Sequence, residues 1–455
     1  VVCQPETMTE QTSATKGSLL VITLVVIVDM IGFGIIIPFL TFMVDHLAPQ
    51  GTDKGIWVAA LMSAYAGAVF LFSSFWGTLS DRYGRRPILM LGLAGNTVAF
   101  VIFGLSTSLW MAFFARLLAG LFNANIPVAR AYISDVSRPE EVAKRQGLIG
   151  VAFGVGFTIG PALGGWLSRP ASWTWTDAFV GTIFETHPYL LPCLASSGLS
   201  LFALLLAFRL LPESHALENL SKAKKTNPMK ELKTKFSDIG SLMKRPIISP
   251  LLYSGMFFWV GFTIMHVVFI LFTMMPAESG GLDFSESDNG IVFAFIGLVG
   301  MVTQGGLIGP LTERYGSSRL IAMGLSLAGL GLIAIPYVDI SIAWTGMLVI
   351  SLLIAFGNGL FTPSNMAMLS NHSSYDERGL VMGVSESLRS LCSLFGVLIG
   401  GIVWDLTWDG DSLFTYHTAF WLCGLFSFIA VIIHVTGGAW NVDDPALKGK
   451  EAEAE

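Results

Sequence analysis

Twelve apolar runs, each about twenty residues long, follow one another along the 455-residue chain. Six lie between residues 19 and 211 and six between residues 247 and 436, with a polar stretch between the two sets. A run of this length spans a bilayer as a helix, whereas the strands of a transmembrane barrel alternate over about ten residues. Because 53% of the residues are hydrophobic and 13% are charged, the sequence predicts an all-α polytopic membrane protein and excludes an ordinary soluble one.

A loop motif between the second and third apolar runs recurs in the second set. Residues 77–87 read GTLSDRYGRRP, and residues 309–319, which lie 232 positions later, read GPLTERYGSSR. A repeat at about half the chain length indicates that one half of the protein repeats the other. Within the first copy, Gly84 suits a turn with positive φ, and Gly77 is expected to let two helices approach closely.

Lysine and arginine are distributed unequally between the two ends of the apolar runs. If both termini are cytosolic, nearly all of these residues lie on the cytosolic side, and only Lys54 and Arg169 lie opposite. This asymmetry orients the chain under the positive-inside rule. The sequence thus predicts a cytosolic tail (residues 1–18), a six-helix bundle (19–212), a lysine-rich cytosolic linker (213–246), a second six-helix bundle (247–437) and a cytosolic tail (438–455).

Glycine recurs at every fourth position of the fifth run, at Gly156, Gly160 and Gly164, together with Pro161 and Gly165. Glycines four residues apart share one helix face and form a groove for a neighbouring helix, and the proline removes one backbone hydrogen bond. The equivalent segment of the eleventh run keeps glycines but has no proline. The two halves are therefore not functionally equal.

Asp29 lies about ten residues into the first run, at a depth of roughly 15 Å. An ionised carboxylate at that depth is unfavourable, which suits a group that takes up and releases protons or binds cargo. The alternative is an aspartate held in a static bond by a neighbouring Arg or Asn. Arg116 in the fourth run cannot easily relay a proton, but its charge can act on a nearby acid.

Further polar side chains occur inside the apolar runs. Glu386 and Arg389 are three residues apart and share a helix face, with two interpretations open. The pair neutralises itself within the helix, or proton uptake by Glu386 frees Arg389 for an anionic group. The remaining polar residues are candidates for lining a substrate cavity: Asn123, Asn125, His266, Gln304, Asn358 and Asn365.

These motifs together resemble the major facilitator superfamily over residues 19–436. Residues 77–87 match its signature between helices two and three, and residues 156–165 are similar to its antiporter motif. The segment from Asp29 to Pro38 resembles helix one of the tetracycline-efflux branch of drug:proton antiporters. Arg116, followed by Gly120, is similar to a motif whose arginine is implicated in proton transfer.

The resemblance implies roles for particular residues. Asp29 and Arg116 would couple transport to protons, with Glu386 and Arg389 as further candidates, and the motif around Gly160 would block proton leak. The residues that would form the cytosolic gate are Gly77, Asp81, Arg82, Gly84, Arg85, Arg86, Asp135, Glu313, Arg314 and Gly316.

We therefore expect twelve transmembrane helices in two pseudo-symmetric bundles, which export small amphipathic compounds such as tetracycline-like drugs in exchange for protons. The expected setting is a bacterial inner (plasma) membrane, with lipid and a small-molecule substrate as partners, the proton gradient instead of a cofactor, and a monomeric state. A proton symporter or facilitator for a nutrient is the alternative, and a non-transporting receptor is a lesser one. The sequence offers no support for an enzyme, a metal site or nucleic-acid binding.

Overall fold

The computed structural model describes residues 5–123, 125–137, 142–214, 240–374, 377–408, 414–438 and 440. Within these ranges, twelve helical segments are long and apolar enough to cross a membrane, from Gly17–Ile36 to His417–Thr436. The same ranges contain helices and turns but no strand. The predicted all-α polytopic fold is confirmed, while most of the lysine-rich linker (215–239) and the tail from residue 441 onward lie outside the described residues.

The first six spans are built from helices of unequal length. They are α1 (Pro5–Ile36), the short α2 (Leu40–Leu47), α3 (Lys54–Tyr83), α4 (Arg85–Gly104), α5 (Leu109–Phe122), α6 (Asn125–Asp135), α7 (Val142–Leu167), the single-turn α8 (Ile183–Thr186) and α9 (Leu190–Leu210). Helices α5 and α6 together make one span, Leu109–Asp135.

The other six spans follow in the same order. They are α10 (Ile248–Thr273), α11 (Glu286–Val302) with a π-helical segment (Thr303–Leu307) and α12 (Ile308–Tyr315), then α13 (Ser317–Ala334), α14 (Ala343–Asn371), α15 (Arg378–Thr407) and α16 (His417–Thr436). Helix α11 begins with a capping box in which Ser285 and Asp288 satisfy each other's backbone N–H groups.

Contacts divide the chain into two units, Val1–Leu47 with Ala64–Lys224, and Ala48–Ser63 with Lys225–Glu455. In the first unit, α1 packs against α7 and α9, and α4 packs against α5 and α9. In the second unit, α10 packs against α15 and α16, and α13 packs against α14 and α16. The packing partners are equivalent in the two units, so the repeat seen in the sequence is also a repeat of helix packing.

Aliphatic side chains from several helices form the core of the first unit. Ile22 of α1, Leu93 of α4, Ile133 of α6 and Ala203 of α9 are fully buried in one cluster. Because lipid tails are as apolar as leucine, close packing rather than water exclusion holds such helices together. This rigid packing positions the polar side chains described below.

Three spans are interrupted where the sequence predicts continuous runs. The first run ends as a helix at Ile36, and a turn over residues 37–39 contains Pro38, which lacks the N–H that a continuing helix requires. The fourth run breaks at Asn123, whose φ of −74° and ψ of 67° are not helical. The eighth run changes to a π-helix at Thr303, next to two glycines. π-Helical segments inside α-helices occur frequently at functional sites.

Candidate functional site

Asp29 on α1 is buried, with 4% of its surface exposed. Asn96 of α4 donates to Asp29 Oδ1 at 3.5 Å, and the Asn125 amide at the start of α6 faces the same carboxylate. A hydrogen bond of that length is weak, and Asp29 makes no ion pair with any residue of the described ranges. Asp29 is therefore not held by an arginine, and its hydrogen bond to Asn96 is too long to satisfy the carboxylate fully.

Arg116 on α5 is also buried, with 5% exposed. Its guanidinium carbon lies 4.4 Å from the ring centroid of Tyr65 on α3 and 5.8 Å from that of Phe103. Nε and Nη1 of Arg116 find no hydrogen-bond acceptor in the part of the chain that the structure describes. The positive charge is thus held mainly against aromatic faces, an arrangement that stabilises a desolvated cation.

Tyr65 connects the arginine with the aspartate. Its ring lies close to both Arg116 and Asp29, and its hydroxyl accepts a hydrogen bond from Asn123 Nδ2. Gly120 makes this approach possible, because an added Cβ would lie 2.8 Å from the Cβ of Ala68 on α3. The Arg-x-x-x-Gly motif therefore combines a buried charge with the glycine that brings the aromatic helix close to it.

The two predicted asparagines flank the break in the fourth span. Asn123 ends α5 and Asn125 begins α6, and both side chains are buried. Asn123 Oδ1 and both amide atoms of Asn125 lack hydrogen-bond partners within the described residues. Four residues predicted from the sequence, Asp29, Arg116, Asn123 and Asn125, are thus brought together with Tyr65 and Asn96 in one buried polar cluster.

The glycine groove of α7 packs directly against α1, just after Asp29. An added Cβ at Gly156 would lie 2.6 Å from the Cβ of Met30, and one at Gly160 would lie 2.7 Å from the Cα of Gly34. Gly164 makes a similar approach to the backbone of Ile35, and the adjacent Gly165 and Pro161 are buried. Any side chain larger than hydrogen in this groove would displace the helix that carries Asp29.

Arg85 is the centre of an ion-pair network in the first loop motif. Its Nε donates to Asp135 at 3.0 Å, and its Nη1 lies 2.7 Å from Ser80 Oγ and 2.5 Å from Asp81. The Arg85 side chain is only 9% exposed, so water screens these contacts less than it would screen a surface pair. The network joins the end of α3, the start of α4 and the end of α6.

Glu213, which the sequence analysis placed in the linker, binds the first loop motif. Its carboxylate accepts the backbone N–H of Arg85 at 2.9 Å and that of Arg86 at 3.1 Å, and so caps α4. Gly84 precedes this cap with φ of 100°, as the motif predicted. The signal in the sequence is that Gly84, the residue before α4, has no side chain that could accept the first N–H groups of the helix, so a residue from elsewhere can cap it.

The other residues of the first loop motif make fewer strong contacts than Arg85. Arg86 donates to the carbonyl oxygen of Phe208 on α9, and the Arg82 guanidinium lies 5.3 Å from the ring of Tyr83. At Gly77 an added Cβ would meet no described heavy atom within 4 Å. The expectation of a close helix approach at Gly77 is therefore wrong, because this face of α3 has open space beside it.

The second copy of the loop keeps the turn and differs in the residues that follow it. Gly316 has φ of 78°, whereas Glu313 and Arg314 are exposed, and Arg314 lies over the ring of Tyr315 at 5.4 Å. The positions of Arg85 and Arg86 are occupied by Ser317 and Ser318, and Ser318 Oγ lies 3.1 Å from the buried His434 ring. The two arginines that follow the turn in the first copy are thus replaced by serines in the second.

A second carboxylate caps a helix in the second unit, and sequence reasoning did not single it out. Asp405, near the end of α15, accepts the backbone N–H groups of Gly55 at 2.8 Å and Ile56 at 2.6 Å, in the first turn of α3. Gly401 allows the approach, because an added Cβ would lie 2.6 Å from that of Ala59. The start of α3 is thus held at its N-terminus by α15.

The remaining candidates for the substrate cavity lie in the second unit. Gln304 is exposed in the π-helical segment, and Thr362 donates to Asn358 at 2.9 Å. Asn365 is buried, and its Oδ1 lacks a partner among the described residues, while His266 packs edge-on against Phe262. Glu386 and Arg389 are paired with each other, as the first interpretation of them predicted.

Two repeated sets of six spanning helices, with buried charges and helix-capping loops, define a membrane transporter rather than an enzyme. Residues 22–341 and 305–455 match the family model of the Major Facilitator Superfamily. The chain belongs to this family.

Relatives that carry different names match most of the chain. A probable peptide/nitrate transporter of Arabidopsis thaliana is 32% identical over 81% of this chain and 79% of its own. The class C tetracycline resistance protein of Escherichia coli is 28% identical over 94% of this chain and 98% of its own. The crystal structure of the human organic anion transporter MFSD10 covers 92% of this chain and 99% of its own, with a TM-score of 0.64 at 19% identity. At this low sequence identity, the similarity to the MFSD10 structure shows a shared fold and no more.

Proposed function

We propose that this protein is a proton-coupled antiporter of a plasma membrane, in which inward proton flow drives the export of small amphipathic organic compounds. The observation that carries the proposal is the buried Asp29 carboxylate, whose polar neighbours are the neutral amides of Asn96 and Asn125 and which makes no ion pair among the described residues. A carboxyl group in this state gains by binding a proton when it is desolvated and by losing it when water or a cation approaches. This is the behaviour that coupling requires.

Arg116 is proposed to set the balance between the two forms of Asp29. Its guanidinium lies over the Tyr65 ring and makes no ion pair with Asp29 among the described residues. A cation that moves closer to Asp29 during the transport cycle would favour the ionised carboxylate, and one that moves away would favour the protonated form. Cargo that displaces or screens either charge changes the proton affinity of Asp29, and this links cargo binding to proton release.

The glycine groove supports exchange over symport. Because α7 packs backbone to backbone on α1 beside Asp29, no room for a water chain remains along that contact. Tight packing here keeps protons from crossing without cargo. The names of several relatives agree with export, since they include tetracycline resistance proteins and Multidrug resistance protein 2 of Bacillus subtilis, which is 27% identical over 84% of this chain.

The two helix caps are proposed to act as the latches of opposite gates. Arg85 with Asp135 and Glu213 would hold the cytosolic ends of α3, α4 and α6, and Asp405 would hold the other end of α3. Each cap consists of charge-assisted hydrogen bonds to a helix N-terminus or a buried cation, which are strong yet reversible. Alternate release of the two caps would let the transport cycle expose Asp29 to each side in turn.

Transport in liposomes tests the proposal. Purified protein should accumulate tetracycline against its concentration gradient when a pH gradient is imposed, with protons moving in the opposite direction. Asp29→Asn should abolish this accumulation and keep downhill exchange, while Asp177→Asn, at an exposed loop position, should behave as wild type. Unaltered accumulation by Asp29→Asn would contradict the assigned role. Proton and cargo movement in the same direction would favour the symporter alternative, with which the name of the peptide/nitrate relative agrees.

A further inference from the structure

The second unit carries a charged pair inside a spanning helix. Glu386 and Arg389 lie on α15, within the span Leu380–Thr407. Arg389 Nε donates to Glu386 Oε2 at 2.9 Å, and Nη2 donates to Oε1, so the pair is bidentate. The two side chains are still 37% and 45% exposed. Partly exposed charges within a span are unfavourable next to lipid and therefore indicate a water-filled or ligand-filled space.

The pair lies on the side of α15 that faces α10. The Arg389 guanidinium carbon is 5.0 Å from the ring centroid of Trp259 on α10. Gly396 lies seven residues, or about two turns, further along the same face of α15. An added Cβ at Gly396 would lie 2.5 Å from the carbonyl oxygen of Val260, so this face is the one packed on α10. Arg389 therefore lies on the face of α15 that packs on α10.

Helix α10 presents an aromatic wall beside the guanidinium. Trp259 and Phe262 pack edge-on with ring centroids 5.6 Å apart, and His266 packs edge-on against Phe262 at 5.0 Å. Trp259 and His266 are half-buried, so part of each ring faces open space. Aromatic faces at such a spacing offer a flat partner for a planar ring.

One nitrogen of the Arg389 guanidinium is available to bind a ligand. Nε and Nη2 are directed at Glu386, and Nη1 has no hydrogen-bond partner in the described part of the chain. A carboxylate matches the planar donor geometry of this edge. Because Glu386 already neutralises the charge, a small inorganic anion gains little, and a ligand also needs contact with the rings.

We propose that Arg389, Glu386, Trp259 and Phe262 form a recognition site for planar aromatic carboxylates. Its use in export rests on the proposed transport function, but the binding itself does not. The carboxylate accepts from Nη1 of Arg389, and the attached ring lies against the half-buried Trp259, whose position is supported by the buried Phe262. Glu386 holds the guanidinium in place and keeps the empty site neutral.

Equilibrium dialysis of the full-length protein in detergent, without any pH gradient, tests this site. The probes are 2-naphthoate, its neutral methyl ester and the cationic 2-naphthylmethylamine. Wild type should bind naphthoate best. Arg389→Gln should weaken naphthoate binding about 10- to 100-fold and leave the ester nearly unchanged, because it removes a charge-assisted hydrogen bond. Trp259→Leu should weaken both ligands, because it removes the ring contact.

Controls separate this proposal from folding defects and from the coupling mechanism. Arg209→Gln removes one positive charge from an exposed helix end and should bind all three probes as wild type does. If Arg389→Gln does not fold, Arg389→Lys keeps the charge but loses the planar edge and should show an intermediate loss. The proposal is overturned if wild type shows no saturable naphthoate binding, or if Arg389→Gln changes naphthoate and ester equally. Asp29→Asn should still bind naphthoate, so a failure of proton coupling would leave this site standing.

Discussion

Replacing Gly84 with alanine should destabilise the junction of α3 and α4. Gly84 has φ of 100° and ψ of 155°, a region of backbone conformation that glycine occupies almost alone. Forcing alanine into it costs about 1–3 kcal/mol. The added Cβ would also lie 2.5 Å from Glu213 Oε2, closer than stable contacts of this kind.

The second part of the effect comes from the cap of α4. To avoid the new methyl group, the Glu213 carboxylate must move away from the N–H groups of Arg85 and Arg86, which it now accepts at 2.9 and 3.1 Å. Loss of a helix N-cap costs about 0.5–2 kcal/mol, so the combined destabilisation is about 1.5–5 kcal/mol. A change of that size lowers the melting temperature by several degrees.

Thermal unfolding of purified protein in detergent measures this effect. A thiol-reactive dye reports exposure of the buried Cys193, Cys392 and Cys423 on melting. Gly77→Ala is the matched control, because it adds the same methyl group in the same motif but in a helical, open position. There alanine should be neutral or stabilising by up to about 1 kcal/mol. Equal melting temperatures for Gly84→Ala and Gly77→Ala would refute the reasoning.

Three further changes follow from the same structure. Asp405→Ala leaves two N–H groups of α3 uncapped and should speed hydrogen exchange in its first turn roughly 2- to 30-fold; unchanged exchange would contradict the cap. Gly160→Val should separate α7 from α1 and raise cargo-free proton leak in liposomes, and an unaltered leak would count against the seal. Hydrogen bonds that Arg245 and Ser374 donate to the Glu377 carboxylate lower the pKa of Glu377 to about 2. Since the folded pKa is depressed, the melting-temperature difference between wild type and Glu377→Gln should be present near neutral pH and shrink between pH 4.5 and 2; a constant difference would contradict it.

The fold could be predicted because its signals are local. Spanning length, the duplicated loop and the four-residue glycine period each follow from neighbouring residues, and the structure contains the twelve spans, the positive-φ turn at Gly84 and the groove against α1. Breaks in helices were harder to predict. A hydropathy run does not show that Pro38 ends one helix or that Asn123 interrupts another, because both residues lie in stretches that remain apolar overall.

The partners of the candidate site could be predicted only in part. Asp29, Arg116 and the two asparagines carry polarity into apolar runs and so were visible in the sequence. Tyr65 resembles any aromatic residue of a span, and its position between the charges depends on the close approach that Gly120 allows. The helix caps are supplied by residues 128 and 350 positions away in the sequence, and no local pattern reports such distances.

Proton release on cargo binding tests the role of Asp29 most directly. Tetracycline is added to purified protein in weakly buffered detergent solution, and a pH indicator records the protons set free. Wild type and Asp177→Asn should both release protons as cargo binds, and Asp29→Asn should bind the cargo without releasing any. Equal proton release by Asp29→Asn and wild type would contradict the account, because the exchanged proton would then reside on another group.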